Sequence, residues 1–275
     1  MEYDVIRLVQ HLSVPWLDQV MTMITNLGSE YLYIAALALV YWLWDREVGY
    51  HLAVLMVTSF LVNFGVKELV AAPRPSPELV RIIAPQTAAG YGFPSGHAQS
   101  SATFWWYLAL VSRRWWLWVG GTLLVLLVAF SRVYLGVHFL DDVVGGVVLG
   151  AVLAGVGPWV AGVTLPALSR PVALGLKAVL PALGLLLPVT DSARLLGLLA
   201  GVLVGGDLVR FQLETRGRWW QLVLRAVLGL VVVFGVWFLS RLLFPEGVLQ
   251  YLRYFLIGLA AMALVPVLFR LVRLA

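Results

Sequence analysis

The chain has 275 residues, of which 61% are hydrophobic and 12% are charged, and its formal net charge at pH 7 is +5. Soluble domains carry about a quarter charged residues, so the composition excludes an ordinary soluble enzyme and predicts an all-α, polytopic membrane protein. The apolar runs are continuous rather than alternating, which argues against a transmembrane β-barrel. The absence of Cys excludes disulfides and thiolate metal sites, and the modest positive charge gives no reason to expect nucleic-acid binding.

Residues 1–28 come first in the chain and lack the apolar core of a signal peptide. They contain four charged side chains, Glu2, Asp4, Arg7 and Asp18. A segment with this many charges does not suit the hydrocarbon core of a bilayer. We therefore expect an N-terminal interfacial segment that lies at the membrane surface.

Nine apolar segments follow, and each predicts a membrane-crossing helix. Their approximate limits are Leu27–Trp44, Val48–Ala71, His97–Val111, Trp115–Ser131, Val143–Leu165, Val172–Leu187, Ala193–Val209, Trp219–Phe244 and Tyr251–Val272. Several of them are short, and the boundary between the sixth and the seventh is the least sharply marked. The sequence therefore predicts about nine transmembrane helices.

The distribution of Arg residues predicts how these helices are oriented. With nine spans, the Pro-rich loop Ala72–Pro94 and the connection Ser131–Asp142 lie on the same side of the membrane as the N-terminal segment. The opposite side collects Arg46, Arg113, Arg114, Arg170, Arg210, Arg216, Arg218, Arg270 and Arg273. The loop side, apart from its motif residues, has only Arg7, Arg81, Arg194, Arg241 and Arg253. Because cytoplasmic loops are enriched in basic residues, the two loops are expected outside the cytoplasm.

The seventh segment carries a ridge of three glycines spaced four residues apart, Gly197, Gly201 and Gly205. Such a ridge allows two helices to approach closely. Packing within one chain is the preferred interpretation. A homodimer through the same three glycines is the second interpretation.

Three polar clusters stand out from the apolar background. They are Lys67 with Arg74-Pro75, Pro94-Ser95-Gly96-His97, and Ser131-Arg132 with His138 and Asp142. A charge at the end of a membrane helix is costly unless it is paired or hydrated, so three cations on one face indicate an anion site. Arg offers a planar pair of donors to phosphate oxygens and Lys a point charge. The Pro-Ser-Gly turn adds a hydroxyl and the N–H groups of a helix N-terminus, which also favour an anion.

The two histidines of these clusters supply the chemistry. His138 and Asp142 are four residues apart and would share one face of a helix. A carboxylate that holds one imidazole nitrogen fixes the tautomer and leaves the other nitrogen free as a nucleophile or base. Together with His97 beside the turn, the pair indicates phosphoryl transfer through a phosphohistidine.

The same residues resemble the signature of the type 2 phosphatidic acid phosphatase superfamily, which reads K-x6-RP, PSGH and SR-x5-H-x3-D. Every fixed residue is present at the family spacing between Lys67 and Asp142. The resemblance implies that His138 attacks phosphorus, Asp142 orients it and His97 protonates the leaving oxygen. It also implies phosphate contacts from Lys67, Arg74, Ser95, Gly96 and Arg132. It implies no metal or other cofactor.

The function implied by the resemblance is that of an integral membrane phosphatase acting on a lipid phosphate or diphosphate. The substrate would be of the undecaprenyl diphosphate, phosphatidic acid or phosphatidylglycerophosphate type, hydrolysed in the plasma membrane at its non-cytoplasmic face. Four apolar side chains of the loop before His97 are expected to border a path for the lipid tail: Ile82, Ile83, Tyr91 and Phe93. The expected organisation is an interfacial segment at 1–28, a phosphatase core at 29–165 and additional transmembrane helices at 166–275.

Two alternatives stay open. Two spans before the first motif and about four after the third also resemble the layout of glucose-6-phosphatase, which would make a sugar phosphate the substrate. A non-enzymatic membrane protein that only binds a phosphate headgroup is the other alternative. The His138–Asp142 pair favours an enzyme over it, because binding alone needs no nucleophile.

Overall fold

The computed structural model describes residues 2–162, 169–186, 192–209, 218–244 and 247–274, and within these ranges every regular element is helical. The ends of the fifth and sixth predicted segments and the domain boundary expected after residue 165 lie outside the described residues. So do Arg210 and Arg216.

The helices have the following limits. They are α1 (Glu2–Gln10), α2 (Pro15–Asn26), α3 (Glu30–Leu39), α4 (Arg46–Val70), α5 (Gly96–Ser112), α6 (Trp115–Tyr134), α7 (Leu140–Ala161), α8 (Arg170–Leu183), α9 (Ser192–Leu208), α10 (Trp219–Leu243), α11 (Gln250–Leu259) and α12 (Val265–Leu271). A π-helical stretch extends α3 over Val40–Trp44, and another joins α11 to α12 over Ala260–Leu264. Short 3-10 turns lie at Pro85–Thr87, Gly184–Leu186 and Gly247–Leu249.

Each of the nine predicted segments corresponds to a helix, but the count of nine transmembrane helices is not confirmed. Among the described residues, five helical stretches are long and apolar enough to cross a membrane. They are Arg46–Val70, Trp115–Tyr134, Leu140–Ala161, Trp219–Leu243 and Gly247–Leu271. The other helices are shorter, since α5 and α9 have 17 residues each and α8 has 14, whereas a span needs about 20.

The helices form two compact units, of which the first comprises Met1–Tyr33 and Ser59–Gly162. Its centre is α5, which packs closely on α6 and α7. Two glycines of α7 allow this approach. A Cβ at Gly146 would lie 2.5 Å from the carbonyl oxygen of Ser95, and one at Gly150 would lie 2.5 Å from that of Gln99. Since both obstacles are backbone atoms, only Gly fits at these two positions.

The N-terminal helices α1 and α2 pack against α6 in the first unit. The side chain of Gln10 donates to the carbonyl oxygens of Arg81 (2.7 Å) and Tyr134 (3.1 Å). Their outward face is apolar and exposed, with Leu8, Trp16 and Met23 each at least 65% accessible. An apolar outer face agrees with an interfacial position. The inner face of α1 and α2 packs against the other helices of the first unit. The prediction of a segment at the membrane surface did not include this packing.

The second unit comprises Ile34–Thr58 and Val163–Ala275. Its glycine ridge packs against α11 of the same chain: a Cβ at Gly197 would lie 2.1 Å from the carbonyl oxygen of Tyr251, and one at Gly201 2.2 Å from that of Phe255. A Cβ at Gly205 would lie 2.8 Å from the Cβ of Met262, in the π-helical stretch that follows α11. The three glycines are buried within the chain, which agrees with the preferred interpretation of packing within one chain. A homodimer through the same glycines stays a prediction.

The same unit contains an ion pair between two neighbouring helices. Lys177 of α8 lies 2.7 Å from a carboxylate oxygen of Asp207 of α9. Each charge neutralises the other, which explains two charged residues in otherwise apolar segments.

Candidate active site

The polar residues predicted as functional lie in the first unit, where the ends of α4 and α6 and the starts of α5 and α7 meet the loops that connect them. Lys67, in the last turn of α4, is 7% exposed, and its ammonium group donates to the carbonyl oxygens of Tyr91 and Gly92. Gly92 in turn lies against α7, since a Cβ there would come within 3.0 Å of the Asp142 carboxylate. The loop before α5 is therefore held between α4 and α7.

Arg74 fixes the same loop from its outer side. Its guanidinium donates to the carbonyl oxygens of Gly90 (2.8 Å), Ala89 (2.7 Å) and Val137 (2.7 Å). Its Nη1 also lies 3.0 Å from Nε2 of His138. One cation thus connects the loop before α5 with the connection between α6 and α7.

The contacts on both ring nitrogens determine the tautomer of His138. A guanidinium can only donate, so Nε2 facing Arg74 must be the unprotonated nitrogen. Nδ1 then carries the proton and donates it to Asp142 Oδ2 at 3.1 Å. That carboxylate oxygen also accepts from the backbone N–H of Phe139 at 3.0 Å, which fixes it at the start of α7. The basic nitrogen of His138 therefore faces the cationic cluster.

The surroundings of His138 keep its ring neutral. Burial lowers the pKa of His138 well below its usual value of 6.5, and the positive charges of Arg132, Arg74 and Lys67 lower it further. His97 contributes in the same direction. Since a neutral imidazole is the nucleophilic form, the electrostatics favour the reactive state at neutral pH.

Ser95 precedes α5 and its side chain is fully buried. Its hydroxyl does not cap the helix, and Oγ has no hydrogen-bond partner among the described residues. Its backbone N–H donates to the Asp142 carbonyl oxygen at 2.8 Å, which ties the turn to α7. A buried hydroxyl normally finds a partner, so Ser95 Oγ is a group available to a ligand.

Arg132 lies at the end of α6 and is fully buried. Its Nη1 donates to Oγ1 of Thr25 (2.7 Å) and of Thr87 (3.0 Å), and its Nη2 donates to the Thr87 carbonyl oxygen (2.8 Å). Its Nε has no hydrogen-bond partner among the described residues. The guanidinium is thus held from one side only.

A buried polar network that was not predicted from the sequence lies beneath the Pro94–His97 turn. Asn63 of α4 donates to the Gln99 side chain (2.7 Å) and to the Pro94 carbonyl oxygen (3.3 Å). Gln99 donates to the backbone and the hydroxyl of Ser59, which also contacts Thr103. Amide side chains within apolar helices were a usable signal, because such groups need partners in a membrane.

The structure brings together all eight residues predicted for the site. Ser95 precedes α5, Gly96 and His97 begin it, and His138 and Asp142 flank the start of α7. Lys67, Arg74 and Arg132 are close enough to act electrostatically on both histidines. Among the described residues, no group of three His, Asp or Glu side chains could hold a metal ion.

The apolar loop residues lie differently from the expectation. Ile82 packs into clusters with Ile6, Val80, Tyr134 and Leu135, and Ile83 belongs to the second of these clusters. Phe93 lies against Gly145 of α7, and only Tyr91 is exposed, at 39%. Ile82 and Ile83 therefore pack towards the N-terminal helices, and a path for a lipid tail along this loop stays a prediction.

Comparison with known proteins agrees with the residues of the site. Residues 47–163 match the PAP2 superfamily, and residues 189–275 match the transmembrane extension of PAP2 superfamily phosphatases. The chain is 30% identical to an undecaprenyl-diphosphatase of Sulfolobus acidocaldarius over 54% of this chain and 72% of that protein. It is 32% identical to phosphatidylglycerophosphatase B of Bacillus subtilis over 50% of this chain and 72% of the relative.

A solved structure shares the fold. Aquifex aeolicus LpxE superposes with a TM-score of 0.52 at 23% identity, covering 57% of this chain and 93% of that one. The signature residues, their convergence around His138 and these similarities lead to one conclusion: the chain belongs to the PAP2 superfamily and is a membrane phosphatase.

Proposed function

We propose that this phosphatase hydrolyses a lipid phosphate or diphosphate through a phosphohistidine at His138. The observation that carries the proposal is the arrangement of the two His138 ring nitrogens. Nδ1 donates to Asp142 and Nε2 faces Arg74 with its lone pair. In this arrangement Nε2 attacks phosphorus and Asp142 stabilises the imidazole as positive charge develops on it.

The remaining residues have distinct roles in the proposal. Arg74, Arg132 and Lys67 neutralise the charge on the phosphoryl oxygens, assisted by the Ser95 hydroxyl and the N–H of Gly96 at the start of α5. His97 donates a proton to the leaving oxygen. In the second step it accepts a proton from the water that hydrolyses the phosphohistidine. Each of these groups already belongs to the chain, so the proposed reaction needs no metal ion.

A lipid substrate is supported by the position of the site and by the relatives. The site lies where α4 and α6 end, and both helices are long and apolar enough to cross a membrane. The end of a membrane-crossing helix is where we expect a lipid headgroup. Leu69 and Val70, which follow Lys67 at the end of α4, are 86% and 51% exposed and would face a lipid tail. The named relatives act on undecaprenyl diphosphate and phosphatidylglycerophosphate. We place the enzyme in the plasma membrane, with the site on its non-cytoplasmic face.

A substrate panel tests this proposal. Purified protein in one detergent is assayed with undecaprenyl diphosphate, phosphatidic acid, phosphatidylglycerophosphate and glucose 6-phosphate, with and without excess EDTA. We expect the highest kcat/KM for one of the lipids and no loss with EDTA. Fastest hydrolysis of glucose 6-phosphate would overturn the lipid assignment. Loss of activity with EDTA that magnesium restores would overturn the metal-free mechanism.

A further inference from the structure

The hydrogen bonds of Arg132 divide its guanidinium into two parts. An Arg side chain has five N–H donors. Three of them are used within the protein, two from Nη1 and one from Nη2, and all three point to Thr25 or Thr87. Among the described residues, the Nε–H and one N–H of Nη2 are left without a partner. Two adjacent donors of this kind match two oxygens of a phosphoryl group.

The anchor at Thr25 comes from a part of the chain that the family signature does not include. Thr25 lies near the end of α2, before residues 47–163 that match the superfamily. Its side chain is completely buried, and its Oγ1 accepts the shortest of the three hydrogen bonds, at 2.7 Å. An interfacial segment that only rested on the membrane would not need a buried hydroxyl at this position.

Other contacts fix the position of α2, so that its Thr25 can orient the side chain of Arg132. Asp18 accepts hydrogen bonds of 2.7 Å from Tyr134, Ser13 and Arg81. These bonds tie α2 to the end of α6 and to the loop before α5. At the other end of α2, Gly28 lies against Val128 and the Cβ of His97. The helix is therefore fixed on both sides of Arg132.

We propose that Thr25 is a positioning residue for the phosphatase reaction: with Thr87 it holds Nη1 and Nη2 of Arg132, so that the two remaining N–H donors face the phosphoryl oxygens. The inference rests on the proposed role of Arg132 in binding phosphate. It makes α2 part of the catalytic apparatus, acting through Arg132 and not by touching the substrate.

The test compares Thr25→Val, which removes the hydroxyl at nearly constant volume, with Thr25→Ser, which keeps it. Thr22→Val is the matched control, because Thr22 lies on the same helix and, among the described residues, its hydroxyl donates to the backbone oxygen of Asp18 within that helix. Hydrolysis of phosphatidic acid and its inhibition by orthovanadate are measured for each purified protein. Arg132→Lys is measured in parallel.

We expect Thr25→Val to lower kcat about tenfold or more, because one hydrogen bond to a charged group is lost. Orthovanadate, which mimics five-coordinate phosphorus, should bind more weakly by a similar factor, while KM changes less. Thr25→Ser should recover most of both effects, and Thr22→Val should behave as the unaltered protein. If Thr25→Val is not recovered folded, Thr87→Val tests the second anchor with the same expected loss in kcat.

The results separate this inference from the proposed function. If Thr25→Val matches Thr22→Val in kcat and vanadate inhibition while Arg132→Lys is impaired, Thr25 does not position Arg132 but the phosphate site stands. A fall in thermal stability alone, without a kinetic change, likewise means that Thr25 has only a structural role. If Arg132→Lys keeps full activity, the proposed phosphate site itself is wrong.

Discussion

The charge state of His138 governs when its Nε2 can act as a nucleophile. Burial and three neighbouring cations lower the pKa of this ring, so the neutral form persists when the pH falls below 6.5. We expect kcat/KM to fall on the acid side only well below that value, because this parameter reports ionisation in the free enzyme.

Arg74→Gln provides the comparison for this pH prediction. Removing one cation raises the pKa of His138, so the acid limb of the normalised pH profile should move to higher pH. If the acid limb came from ionisation of the substrate, it would lie at the same pH in both proteins. The comparison therefore separates ionisation of His138 from ionisation of the substrate. Coinciding profiles for the two proteins would contradict the electrostatic account.

Single residues also show how far the sequence could predict the site. Lys67, Arg74, His97, His138 and Asp142 could be found because charged groups are rare and costly in apolar segments. Thr25 could not, because a threonine near a helix end is common and its partner Arg132 is 107 residues away. Its role depends on tertiary contacts that no local pattern contains.

At the scale of helices, the contact between α5 and α7 sets the position of the phosphate-binding turn. Ser95, just before α5, and Gln99 within it present backbone oxygens to Gly146 and Gly150. The glycine ridge of α9 was predicted from the sequence, whereas this pair was not, although it has the same spacing of four residues. The spacing of Gly146 and Gly150 could therefore have predicted a close helix contact. It could not have identified α5 as the helix in that contact.

Gly150→Ala tests this helix contact. The added methyl group would meet the Gln99 carbonyl oxygen, and forced overpacking costs about 1–3 kcal/mol. We expect a lower thermal unfolding temperature in detergent and reduced activity, because α5 carries His97 and directly follows Ser95. Gly155→Ala is the control variant on the same helix, because nothing lies within 4 Å of a Cβ at Gly155.

The control variant Gly155→Ala should not lower the stability of the protein. Ala is favoured over Gly in a helix by about 1 kcal/mol, so Gly155→Ala should be as stable as the original protein or slightly more so. Equal destabilisation by both substitutions would mean that glycine is needed in α7 for reasons other than its approach to α5.

For the whole molecule, the apolar segments predicted the positions of the helices better than they predicted the number of membrane-crossing helices. Apolar length alone predicted nine spans, whereas five helical stretches of the described residues are long and apolar enough to cross a membrane, so the count of nine is not confirmed. Within α5, Gln99 and Thr103 belong to the internal polar network of the first unit, which apolar length alone did not predict.

The proposed orientation is testable because the sequence contains no Cys. Glu78→Cys, in the loop before α5, and Arg113→Cys, between α5 and α6, place single thiols at exposed positions. A membrane-impermeant maleimide should label Glu78→Cys in intact cells and Arg113→Cys only after permeabilisation. The reverse pattern would place the active site on the cytoplasmic face.

The most direct test of the central claim is chemical identification of the phosphorylated residue. Purified protein is mixed with phosphate-labelled lipid substrate, quenched in base within one turnover and analysed by peptide mass spectrometry. A phosphohistidine at His138 is the result expected, absent in His138→Ala and in protein treated with acid. Labelling of any other residue, or turnover by His138→Ala, would contradict the account.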